Sequence, residues 1–102
     1  MGLKNISSKS APLMDNICYL ISDEGTETLC FCAELPVQSN EFFRAGQTGI
    51  KPEICLAMDS ESYNEQDKIK YNDTQYTIYR IYAREDGITE LYCNRRLGGY
   101  YE

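Results

Sequence analysis

Apolar and polar residues alternate with a period of two along most of this chain, the spacing of half-buried strands. Ile17-Cys18-Tyr19-Leu20-Ile21 is a first strand, and Ser22-Asp23-Glu24-Gly25 supplies the turn after it. A second strand is predicted over 27–35, with Leu29, Phe31, Ala33 and Leu35 on its core face and Pro36 as its stop. A third, over 53–58, points Ile54, Leu56 and Met58 inward. Residues 59–66 are polar and loop-like, and 67–71 form a short strand closed by Asn72-Asp73, a pair that tolerates positive φ. The strongest strand runs over 75–83, and Asp86-Gly87 turns it into 88–94 as a hairpin. On strict alternation Tyr76, Ile78, Arg80 and Tyr82 share one face of that strand, and Thr77, Tyr79, Ile81 and Ala83 the other. The second set makes the better core, which leaves Arg80 outside between tyrosines. Six short antiparallel strands imply a mainly β protein, a small barrel that is closed or nearly so.

The connection between the second and third strands, over 38–53, breaks the pattern. It is too long for a hairpin, where about two to five residues are usual. It carries the only helical candidate, 40–47, with Asn40 as cap, Glu41 in the first turn and Gly46 or Gly49 as the stop. Eight residues cannot hold a helix alone in water, so this one requires Phe42 or Phe43 to pack against something. Two phenylalanines, an arginine and two glycines cannot all be core. A long aromatic connection on a small β protein is a surface that meets a partner, with weak order expected before it does. The plainer alternative is that one phenylalanine plugs an end of the barrel.

At 102 residues the chain is long enough for one domain. Sixteen acidic against ten basic residues give a net charge of −6, which disfavours gripping nucleic acid through its phosphates. Apolar runs such as 17–21 and 29–33 reach only five residues, too short to span a bilayer, and the first thirteen residues lack the apolar stretch of a signal peptide. Five cysteines, Cys18, Cys30, Cys32, Cys55 and Cys93, sit in apolar or aromatic surroundings and read as reduced, buried thiols. A zinc site with Cys30 and Cys32 as one arm is the sharper alternative. Residues two apart on a strand stand about 7 Å apart, wide for a chelate, and there is no CxxC. The absence of histidine removes Ser-His-Asp triads, Cys-His pairs and HExxH zinc helices. The remaining acids lie in polar turns, so no catalytic constellation is expected and no cofactor is implied.

The order of these segments carries a resemblance. Asn40-Glu41-Phe42-Phe43-Arg44-Ala45-Gly46-Gln47 is followed by Gly49-Ile50-Lys51-Pro52-Glu53, then by 67–80, which ends Tyr76-Thr77-Ile78-Tyr79-Arg80, and by Glu90-Leu91-Tyr92-Cys93. Over about 17–98 the chain resembles the head closure, or head–tail adaptor, proteins of tailed bacteriophages and prophages. Met14 stands where such proteins often begin, which makes 1–13 a flexible extension, 14–98 the domain and 99–102 a flexible tail. The resemblance implies a β-barrel that assembles as a ring between the portal and the tail-completion protein. That ring would close the DNA-filled head and dock the tail, in the virion and, during assembly, in the host cytoplasm. Self-association would be templated by the portal, and DNA would be only a passing cargo that an acidic lumen repels. The assembly interface is assigned to Glu41, Phe42, Phe43, Arg44, Gln47 and Lys51 of the connection, with Arg80 and Tyr82 of the fifth strand. A competing class is an oligonucleotide-binding barrel, whose tyrosines would stack bases but which needs a basic groove.

Overall fold

The turn chemistry sets where the strands stop. Asn72 (φ 53°) and Asp73 (φ 63°) both adopt left-handed backbone, the two-residue geometry that matches the twist of a tight hairpin. Gly87 (φ 86°) does the same work in the last hairpin, where a side chain would be strained. In the computed structural model, which describes residues 13–95, these turns delimit six strands. They are β1 (Asn16–Ile21), β2 (Glu27–Leu35), β3 (Ile54–Asp59), β4 (Lys68–Tyr71), β5 (Thr74–Ala83) and β6 (Ile88–Asn94). One helix, α1 (Ser39–Gly46), lies in the β2–β3 connection, and a single 3-10 turn, Ser60–Ser62, follows β3. The extension expected over 1–13 (Leu13 apart) and the tail expected over 99–102 lie outside the described residues.

The strands form a closed antiparallel barrel in the order β1-β2-β3-β6-β5-β4. Closure runs through β1 and β4, paired from Cys18↔Tyr71 to Ile21↔Lys68, so every strand has two neighbours and no sheet edge is left open. The barrel interior is filled by Cys18, Leu20, Cys30, Cys32, Leu56, Met58, Ile69, Tyr71, Leu91 and Cys93, with Ile54, Tyr63, Tyr76 and Ile78 packed against them. All five cysteines are free and buried. At one end Asn16 donates to the Tyr71 hydroxyl (3.2 Å), which donates to Glu34 (3.1 Å), so the polar tip of a buried tyrosine is satisfied. Burial raises the Tyr71 hydroxyl to about 12, and the bond to Glu34 adds to the effect.

Two strand faces differ from the expectation. In β2, Leu29 and Phe31 are 49% and 58% exposed, while Cys30 and Cys32 point inward. Register decides this: Cys18 pairs with Cys30 and Ile17 with Phe31, and opposed residues share a face. Once Cys18 and Leu20 face the core, the parity of β2 is fixed. Six strands enclose a narrow interior, and thiols fit where phenylalanine would overfill it. In β5 the inward set is Tyr76 and Ile78 rather than Thr77, Tyr79, Ile81 and Ala83; Ile81 is 46% exposed. Register decides this too: Ile78 pairs with the fully buried Cys93, which turns Tyr76 and Ile78 inward. The bulge comes only after them, between Ile78 and Arg80, where Arg80 pairs with Tyr92 and Tyr79 is the extra residue. The expectation for β3 matches the structure at Leu56 and Met58, both fully buried, and at Ile54, which is part-buried.

These faces give opposite outcomes on substitution. Leu56→Ala is expected to cost about 2–5 kcal/mol, as deletion of a fully buried leucine side chain does. Phe31→Ala should stay within about 0.5 kcal/mol in the same urea titration, because it lies on the outer surface. A loss at Phe31 equal to that at Leu56 would mean the β2 register is shifted by one residue.

Candidate assembly interface

The helix in the long connection sits with its carboxylate inward and its aromatics outward. Glu41 and Ala45, four residues apart and therefore on one side of α1, are buried at 4% exposure each. Phe42 is 47% and Phe43 74% exposed, and Arg44 and Gln47 are exposed as well. The requirement that Phe42 or Phe43 hold the helix is therefore replaced by a polar anchor. The expected Asn40 cap is also absent: the N-cap is Gln38, without a side-chain bond, and Asn40 is inside the helix.

The anchor is a carboxylate with a full set of donors. The Tyr79 hydroxyl donates to Glu41 Oε2 (2.8 Å), and Arg80 donates through Nη2 to Oε1 (2.7 Å) and through Nε to the same oxygen (3.2 Å). A regular strand would turn Tyr79 and Arg80 to opposite faces. The β5 bulge lets both reach one carboxylate, which is the re-aiming that bulges provide. Burial alone would raise the Glu41 carboxyl; the hydrogen bonds from Arg80 and Tyr79 and the guanidinium charge outweigh it and hold it below its ordinary value. Arg80 is raised in turn, chiefly by its bond to Glu41. Burial pushes the Tyr79 hydroxyl up, reinforced by its bond to Glu41.

From Arg80 the polar contacts continue along the outside of the barrel. Its guanidinium stacks 4.2 Å from the centre of the Tyr92 ring. The Tyr92 hydroxyl donates to Glu90 (2.6 Å), which also receives Arg84 (3.3 Å), and Arg84 reaches Asp86 (2.6 Å) in the β5–β6 turn. Beneath this row Cys55 is buried, and burial raises its thiol to about 12. Past the end of α1, Thr48, Gly49 and Ile50 close the turn. Ile50 N donates back to Ala45 O (3.1 Å) and Gly49 (φ 80°) takes the left-handed conformation, a Schellman-type stop. Arg95 N–H donates to Glu53 (2.6 Å) where the connection enters β3. The weak order expected for 38–53 thus meets an internal anchor at Glu41 and a defined helix stop.

The eight residues assigned to an assembly interface divide into two groups. Glu41 and Arg80 are committed to each other within the chain, and at 4% exposure Glu41 has almost no surface to offer a partner. Phe42, Phe43, Arg44 and Gln47 share the outer side of the connection, Lys51 is exposed further along it, and Tyr82 is 50% exposed on β5. Sequence reading missed Tyr79, Tyr92, Glu90 and Arg84 as parts of the site. The signal available was the broken alternation at Tyr79-Arg80, two polar-tipped side chains adjacent in the strongest strand. Among the described residues no three His, Cys, Asp or Glu side chains converge in metal-holding geometry, and no helix is long and apolar enough to cross a membrane.

Removing the guanidinium should strand the Glu41 charge under the helix: Arg80→Ala is expected to cost about 3–5 kcal/mol. The acid dependence follows from the lowered Glu41 value. Its stabilising contribution is complete above the ordinary glutamate value of 4.5 and is lost as pH falls through the lower folded-state value. Thermal melts from neutral pH to about pH 3 should show Glu41→Gln less stable than wild type at neutral pH, with a shallower acid limb. Identical acid limbs would remove Glu41 from the account.

Neither a protein family, nor a curated protein, nor a solved structure matches this chain.

Proposed function

We propose that this chain is a structural assembly protein of a tailed phage or prophage, a ring component between portal and tail that closes the filled head and docks the tail. The observation that carries this reading is the orientation of α1. A helix pinned to the barrel through Glu41 leaves Phe43 74% and Phe42 47% exposed, apolar surface that intramolecular packing does not use. Exposed aromatics on a fixed element, flanked by Arg44 and Gln47, have the composition of an interface core with a polar rim. Arg44 makes no ion pair among the described residues, so its fork of donors is available to carboxylates of a partner.

The charge arrangement supports assembly over nucleic-acid binding. Among the described residues, the arginines on and beside β5 and β6 that would line a groove are each paired with a carboxylate: Arg80 with Glu41, Arg84 with Asp86 and Glu90, and Arg95 with Glu53. Such pairs leave little positive potential to attract phosphate, as befits a channel wall past which DNA moves.

Arg44→Glu, introduced into the phage genome that encodes the chain, tests the reading. The purified variant should melt within about 0.5 kcal/mol of wild type, since Arg44 is exposed. Lysates should contain DNA-filled heads that leak or fail to join tails, counted by electron microscopy. Normal numbers of complete virions would overturn the assignment of α1 to the assembly contact.

A further inference from the structure

A second apolar surface lies on the far side of the barrel from α1. On the outside of β1 and β2, Ile17 pairs directly with Phe31 and Tyr19 with Leu29. Ile17, Leu29 and Phe31 are 47%, 49% and 58% exposed, so side chains on two adjacent strands make one apolar patch, not scattered singles. In the barrel order, β1 and β2 are separated from β5 and β6 by β3 on one side and by β4 on the other. Since Glu41 fastens α1 to β5, which lies opposite β2 in the ring of strands, the two apolar faces are on opposite sides of the barrel.

Their charges are complementary. Residues 15–35 contain Asp15, Asp23, Glu24, Glu27 and Glu34 and no lysine or arginine. Asp15, Asp23 and Glu24 are exposed and make no ion pair among the described residues. At one margin β4 contributes Lys68 and Lys70, of which Lys70 is engaged with Glu27 (3.5 Å) and the Tyr19 ring. In the connection the two acids are spent, Glu41 on Arg80 and Glu53 on Arg95, and the remaining charges are Arg44 and Lys51. One face is apolar with an acidic margin; the other is aromatic with a basic one.

We infer that these two faces meet between copies of this chain, the α1 face of one subunit against the β1–β2 face of the next. The inference deepens the ring reading and rests on it for the closure of the series. Two different faces make a head-to-tail contact, which propagates instead of stopping at a dimer. Faces nearly opposite each other turn each subunit only slightly relative to the last, which gives a ring of many members. The patches are modest, so the contact is weak in free solution and is completed on a template.

Two surface variants test it. Phe43→Asp disables the helix face and Phe31→Asp the sheet face; both side chains are more than half exposed, so both variants should keep the wild-type circular dichroism. Leu29→Asp stands in for Phe31→Asp if that variant melts early. Each alone should be monomeric by sedimentation at about millimolar concentration. Their equimolar mixture should form pairs and nothing larger, because one intact helix face meets one intact sheet face and neither end can extend. With Phe43→Asp isotope-labelled, amide shifts should appear in β1 and β2 and be absent from α1; with Phe31→Asp labelled, the pattern should reverse. An absence of shifts in both experiments, or shifts confined to other strands, overturns this contact. That result would stand apart from the ring reading, which falls only if virions form normally with Arg44→Glu.

Discussion

One buried carboxylate determines how this molecule presents itself. Glu41 lies under α1 at 4% exposure and accepts hydrogen bonds from Tyr79 and Arg80 on β5. A carboxylate taken out of water without partners would cost several kcal/mol and would protonate or pull the helix away. Here the donors are in place, and two N–H groups of one guanidinium meeting the carboxylate fix direction as well as position. The helix is short, without a side-chain cap, and draws little on local propensity. Its orientation follows from the contact: with Glu41 and Ala45 turned in, Phe42, Phe43 and Arg44 must turn out.

The barrel supplies the other half of that contact through a single irregularity. In an unbroken β5, Tyr79 and Arg80 would lie on opposite faces and only one could meet Glu41. The extra residue between Ile78 and Arg80 brings both outside. The same irregularity sets Arg80 over Tyr92, from which Glu90, Arg84 and Asp86 extend the polar row to the last hairpin turn. Arg80 and Arg84 therefore serve the fold, and the large side chains left exposed on α1 and β1–β2 are aromatic and aliphatic. In the assembly proposed above, α1 and β1–β2 would be the contact surfaces, with the closed barrel between them.

Much of the architecture was legible in the sequence because turn residues and strand periodicity report local geometry. The bounds of β2 and β6, the Asn72-Asp73 and Asp86-Gly87 turns and the helix in the long connection all follow from such signals. What the sequence hides is parity. Cys30 and Cys32 alternate with Leu29 and Phe31, and hydrophobicity alone favours the larger pair for the core. The narrow barrel and the pairing with Cys18 choose the smaller. In β5 a one-residue bulge reverses the faces beyond it, and a bulge leaves only a faint trace in the pattern. The helix in the connection is legible and its aromatics do lie outside, but its anchor is not: nothing local announces that Glu41 has partners 38 and 39 residues further along the chain.

Amide hydrogen exchange tests the role of Glu41 most directly. In the wild-type chain the amides of Thr48 and Ile50, bonded to Ala45 O at the end of α1, should be protected well above the level of a fraying segment. In Glu41→Gln that protection should fall sharply, while the amides that pair β1 with β2 keep theirs. If Thr48 and Ile50 exchange in the wild type as freely as in the variant, the carboxylate does not hold the helix, and the account of this surface fails with it.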